Sequence, residues 1–246
     1  MQFFETDLDK SWPQMKMKVK RSRLLALAAV FASLTVVLDS IPGIPQLSDG
    51  VWYSWAFLTE PIIGLVLPPK AAFLSMFLGV MAGHVVFPRH AYEFLFMIGS
   101  PIGSFVSALL LRRKYRTVIV FFTVLFMAYF ATPVSWQLPW WGMWDTYLAY
   151  IGLLASSTRH FGGKSSRKLA TAFYALIGLE ADILFRIFLF IPCQTYQLLS
   201  FTVEELQFIW IAGASVTPIQ VAISVAFTSA IGPPLMKIVE RMDLRK

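Results

Sequence analysis

Four ionisable residues stand inside apolar stretches of this chain: Glu60, Glu180, Asp182 and Arg186. Each is costly in apolar surroundings unless it is paired or faces water. Asp182 and Arg186 are four residues apart, the spacing at which helical side chains pair. His84, Asp39, Glu93 and Asp145 fall near the ends of other apolar stretches. Placement at headgroup level accounts best for Asp39, Glu93 and Asp145. The chemistry open to this set is recognition of a polar small molecule by charge and hydrogen bonds.

Catalytic chemistry is poorly served. The three histidines, His84, His90 and His160, show no zinc-ligand spacing, and no GxSxG elbow is present. Gly163-Lys164-Ser165 matches the end of a Walker A loop, but Thr158 stands where its first glycine belongs. The single cysteine, Cys193, excludes an intramolecular disulfide. The sequence therefore predicts neither an enzyme nor a cofactor or metal site. Any ATP-driven function would need other subunits.

The elements that must position these residues are apolar helices. Of 246 residues, 57% are hydrophobic and only 14% charged. Mean hydropathy is +0.64. Soluble domains carry about 25% charged residues, so this surface is expected to face lipid. Apolar runs cover 24–38, 56–68, 70–87, 92–111, 115–135, 145–158, 169–191 and 216–238. A full span takes about 20 residues, and the first, second and sixth runs are short. The expected fold is all-α: a polytopic membrane helical bundle of six to eight spans.

Lys and Arg collect in every second gap. They cluster before the first run (Lys16 to Arg23), at Lys70, and at Arg112 to Arg116. Further clusters lie at Arg159 to Lys168 and at Lys237 to Lys246, with Arg89 as the exception. Cytoplasmic loops collect these residues. The pattern predicts cytoplasmic N and C termini and a multi-pass protein of the plasma membrane. The net charge of +7 then meets lipid headgroups, and nucleic acid is not expected as a partner.

This orientation places the ionisable residues in the outer half of the bilayer. Residues 1–22 form a cytosolic or membrane-surface segment, 23–240 a single helical domain, and 241–246 a tail. Loop 40–55 is long enough for an outer lid, with Trp52 and Trp55. Segment 134–145 holds four tryptophans, Trp144 among them, and these fit an interfacial belt or a stacking surface for a ligand. Thr202 and Glu205 match a capping box. They predict an amphipathic helix over 203–214 along the outer face. Ala28 with Ala32, Gly79 with Gly83, and Gly99 with Gly103 form small-xxx-small pairs for close helix packing or partner docking.

Two stretches carry a resemblance: LLALAAVFASLTVVLDSIPGIP with EPIIGLVLPPKAAFLSMFLGVMAGHVV, and the C-terminal TPIQVAISVAFTSAIGPPLMKIVER. They resemble the substrate-binding S components of energy-coupling factor (ECF) transporters over about half the chain. The resemblance implies capture of a vitamin or cofactor precursor on the outer face. It also implies docking on a transmembrane T subunit with two ABC-type ATPases. Ala28 and Ala32 match that family's alanine-rich docking face. Family members usually have six helices, and the extra material here lies around 115–168.

The expected substrate-binding residues are Glu60, His84, Glu180, Asp182, Arg186, Trp52, Trp55 and Trp144. Two other readings stand beside transport. One is an intramembrane enzyme acting on a lipid or lipid-linked substrate through His84, Arg89, His90 and Glu93, with Asp145 nearby. The other is a structural subunit of a membrane complex.

Overall fold

A computed structural model describes residues 21–43, 54–88, 93–158 and 167–244. The expected surface segment (1–20), most of the outer loop with Trp52, and Arg89 with His90 lie outside the described residues. So do the Gly163-Lys164-Ser165 turn and the last two residues.

Regular structure among the described residues is helical, apart from an isolated bridge between Pro42 and Ser54. The helices are α1 (Arg21–Asp39), α2 (Glu60–Val66), α3 (Pro69–Val86), α4 (Glu93–Phe96) and α5 (Gly99–Leu111). They continue as α6 (Tyr115–Ala131), α7 (Trp144–Thr158), α8 (Arg167–Phe190), α9 (Thr195–Leu198) and α10 (Val203–Leu244). Every expected apolar run contains a helix. Among the described residues four stretches are long and apolar enough to cross a membrane: Arg21–Asp39, Pro69–Val86, Glu93–Leu111 and Val203–Arg241. At 7 residues, α2 is far too short to span. At 24 residues α8 has the length, but it carries Glu180, Asp182 and Arg186.

Local chemistry sets the helix boundaries. Pro68 is extended and Pro69 opens α3 at the first helical position, where a missing N–H costs nothing. Arg113 ends α5 in the left-handed region at φ 56°. There the Lys114 N–H donates to Leu109 O and the Arg113 N–H to Leu110 O, the Schellman pattern usually served by glycine. The expected capping box forms: the Thr202 N–H donates to Glu205 Oε2 at 2.7 Å, and the Glu205 N–H to Thr202 Oγ1 at 3.3 Å. The helix it starts is not a separate surface helix. It runs without a break into the last apolar run, giving a 42-residue α10. Pro218, Pro233 and Pro234 lie inside it.

Side-chain contacts fix the relative directions. α1 and α3 run side by side in the same sense: Ser75 Oγ donates to Ala28 O and His84 meets Asp39. α5 runs against α8, with Ser100 at Asp182 and Ser107 at Tyr174. α10 runs against α8, bringing Arg167 to Glu240. Close approach is bought by small residues. A Cβ on Gly103 would strike Glu60 Oε1 and come within 2.7 Å of Gly178 O. Gly79 and Gly83 let α3 lie on Thr35 and Asp39 of α1. Ala28 and Ala32 belong to this same contact, on the α3-facing side of α1. The face of α1 turned away from the bundle carries Ala26, Ala29, Val30, Ser33 and Val37 instead.

Hydroxyls stitch the helices together. Thr35 and Thr59 are 3.1 Å apart, Ser104 donates to Glu60 O at 2.7 Å, and Ser224 donates to Phe57 O at 2.8 Å. The largest apolar cluster joins α5, α6, α7, α8 and α10 around Phe122, Leu153 and Leu184. A second joins α1, α2 and α3 with Val239 of α10. Leu25, Leu78, Val124, Ile151 and Ile219 are exposed. A surface so rich in exposed aliphatic side chains suits lipid tails.

Candidate functional site

Polar and ionisable residues of six helical segments meet at one end of the bundle. Asp39 ends α1, His84 lies at the end of α3, and Glu93 begins α4. Ser100 opens α5, Asp145 opens α7, and Asp182 and Arg186 lie in the second half of α8. All seven line a cavity of about 210 Å³, together with Phe57, Phe190, Trp210 and Thr217 among others. The basic residues of the chain mark the opposite helix ends, at Arg21, Lys70, Arg112 to Arg116, Arg167 and Arg241.

Arg186 is the organising cation. Its Nε donates to Asp182 Oδ1 at 2.5 Å, and one terminal nitrogen donates to Asp182 Oδ2 and to Ser100 Oγ, both at 2.9 Å. Ser100 in turn donates to Asp182 Oδ2 at 3.1 Å. The expected i,i+4 pair is thus a forked, hydroxyl-braced ion pair. Gly99 makes room for it, since a Cβ there would collide with Asp182 Oδ1. Charge-bearing α8 can pass beside α5 only because residue 99 has no side chain.

His84 forms the second pair. Its Nδ1 lies 2.9 Å from Asp39 Oδ2 and 2.8 Å from Val80 O. Two acceptors at one nitrogen require the hydrogen to sit on Nδ1. Ser54 Oγ donates to the other Asp39 oxygen at 2.9 Å. On the far wall, Asp145 accepts from the Thr146 N–H at 2.9 Å and from Thr217 Oγ1 at 3.1 Å. Thr146 Oγ1 passes the chain on to Glu180 Oε2 at 2.8 Å.

Glu60 and Glu180 are both 0% exposed. They stand behind the wall rather than on it. Neither Glu60 oxygen has a hydrogen-bond partner, although Asp182 and Ser100 stand beside it. Glu180 Oε1, His84 Nε2 and Trp210 Nε1 are likewise buried and unpartnered. Buried polar atoms are rarely left so, and here four such residues gather around one cavity.

The expected set is therefore partly assembled. His84, Asp182 and Arg186 line the cavity, with Glu60 and Glu180 immediately behind. Trp144 is not on the wall: it is 44% exposed and donates from Nε1 to Ala214 O at 3.0 Å. Trp55 is also off the wall, with its Nε1 bonded to Pro42 O and its ring stacked on Phe57. Trp136 and Trp140 face outward at 72% and 76% exposure, as an interfacial belt requires. Asp39, Glu93 and Asp145, read from the sequence as headgroup residues, are covered by protein. They are only 1%, 3% and 9% exposed, because neighbouring helices cover the helix ends that carry them. Trp210 is the ring sequence reasoning missed. It lies in the segment read as a surface helix, where only its place beside the charged loops marked it.

Comparison with known proteins finds no match: no family model, no curated protein and no solved structure resembles this chain.

Proposed function

We propose that this protein is a membrane-embedded substrate-binding component that captures a small micronutrient, a vitamin or cofactor precursor, on the outer face of the plasma membrane. Uptake would be driven by ATP through separate T and ATPase subunits of the ECF type. The observation that carries this reading is the cavity itself. It is a charge-lined space at the end of the bundle opposite the basic clusters, with buried polar atoms around it that have no partner inside the protein. The positive-inside rule turns that end outward.

In this reading Arg186, braced by Asp182 and Ser100, and His84, braced by Asp39, fix the ligand's polar groups. Trp210 and Phe190 hold its apolar body. Ser54, at the described end of the 40–55 segment, donates to Asp39 on the cavity wall. Docking on the T subunit uses the exposed small-residue side of α1, Ala26, Ala29 and Ser33, because Ala28 and Ala32 are taken up by α3. Mass spectrometry of small molecules released from the purified protein tests the reading. A stoichiometric compound of vitamin or precursor size supports it, and protein that neither carries nor binds any such compound refutes it.

The His84–Asp39 pair favours one second reading, an intramembrane enzyme using His84 as a base oriented by a carboxylate. His84→Gln separates the two. Loss of a lipid-modifying activity with ligand retention intact would support the enzyme, and loss of retention alone would support capture.

A further inference from the structure

We infer that the cavity selects an organic cation, a compact apolar or aromatic body bearing an ammonium or amidinium group. This rests on the reading of the cavity as a ligand site and names the class of ligand.

The first ground is charge. Among the described residues the wall carries the carboxylates Asp39, Glu93, Asp145 and Asp182 against the guanidinium of Arg186 and the imidazole of His84. Arg186 already gives two of its donors to Asp182, so an anionic ligand would have to compete for it. Glu60 and Glu180 add two more carboxyl groups just behind.

The second ground is the kind of hydrogen bonding left open. His84 Nε2 is buried without a partner on the wall. Glu180 Oε1 and both Glu60 oxygens are likewise buried and unpartnered just behind it. Each carboxylate oxygen has room for about two hydrogen bonds, and on the wall the Asp145 oxygens take theirs from the Thr146 N–H and from Thr217 Oγ1. That spare acceptor capacity calls for a ligand rich in N–H donors.

The third ground is dispersion of the carboxylates. Among the described residues no three His, Cys, Asp or Glu side chains approach closely enough to hold a metal ion. An inorganic ion could not satisfy acceptors spread over several helices, whereas an extended organic cation could. Trp210 and Phe190, stacked at 6.5 Å and both on the wall, supply the ring surface that attracts such a cation.

The test uses the full chain in lipid nanodiscs and three matched triplets: an amine, its alcohol and its carboxylate on phenyl, pyridyl and indolyl frameworks, each with a two-carbon side chain. Binding is read by isothermal calorimetry. The amine should bind at least about tenfold tighter than its alcohol on one framework or more, with the carboxylate weakest. Glu180→Gln, which keeps an acceptor for Thr146, should narrow that ratio in protein whose thermal unfolding is otherwise normal. Alcohols or carboxylates binding as tightly as the amines would overturn the cation inference and leave the capture reading standing. No binding by any of the nine compounds, in protein that also carries no small molecule through purification, would overturn both.

Discussion

The two ends of this bundle use the same building materials for opposite purposes. Away from the cavity most polar side chains act as glue, one donor to one acceptor, with the buried Thr228 hydroxyl left over. Ser75 donates to Ala28 O, Ser107 to Tyr174 O, and Arg112 to Ala108 O, while the Tyr115 and Tyr174 hydroxyls meet at 3.2 Å. Gly64 lets α2 settle on Ser104 and Ser107 of α5 without a gap. At the cavity end the same helices carry carboxylates, an imidazole and a guanidinium, and several of their atoms have no partner. Polar groups that only held helices together would rarely be left in that state in such number. The contrast separates groups that stabilise the fold from groups the fold carries at a cost.

The largest test of this contrast is at the packed end. Gly64→Val would drive its side chain into Ser104 O and Ser107 Cβ, costing about 3 kcal/mol or more. Little folded protein should survive size-exclusion chromatography, while Gly152→Val, whose Cβ would meet nothing nearer than 3.7 Å, should behave as wild type. A tolerated Gly64→Val would mean that this end is not close-packed.

Arg186→Met comes next. Breaking a fully buried ion pair costs about 3–5 kcal/mol. Arg186 is 34% exposed to the cavity, so about 2–3 kcal/mol is expected. Thermal unfolding in detergent measures it, and Arg186→Lys should recover only part because the fork is lost.

Glu60→Met inverts the sign. It removes two oxygens that have no partner, so the protein should gain about 1–2 kcal/mol while ligand retention falls. A destabilised variant would show Glu60 to be glue after all. Ser107→Ala, a single hydroxyl at the packed end, should cost about 0.6 kcal/mol in the same assay. Trp144→Phe is expected to be smallest, within about 0.5 kcal/mol and without effect on ligand retention.

Much of the architecture was legible in the chain because burial in lipid constrains composition so strongly. Each apolar run holds a helix, and the basic gaps mark one end of the bundle. The Asp182–Arg186 spacing announced its pair. What stayed hidden depended on rotation and reach rather than on spans. Hydropathy does not say which way a residue at a helix end faces, so Asp39, Glu93 and Asp145 looked like headgroup residues until neighbouring helices covered them. Trp144 and Trp210 are alike in sequence terms, yet one points out and the other in. The Ala28–Ala32 face was visible as a packing surface, but nothing in the spacing chose between α3 and a separate partner. The join at residue 215 was missed because a polar, amphipathic stretch can continue a spanning helix as readily as lie beside it.

That join has a mechanical consequence. At 1.5 Å per residue the 42 residues of α10 measure about 63 Å along the helix path, roughly twice the hydrocarbon thickness. Trp210 and Thr217 touch the cavity near its start, and Val239 packs among α1, α2 and α3 near its finish. The helix that touches a captured molecule thus also reaches the basic ends of α1 and α3, and its three interior prolines decide how much of a movement at one end arrives at the other.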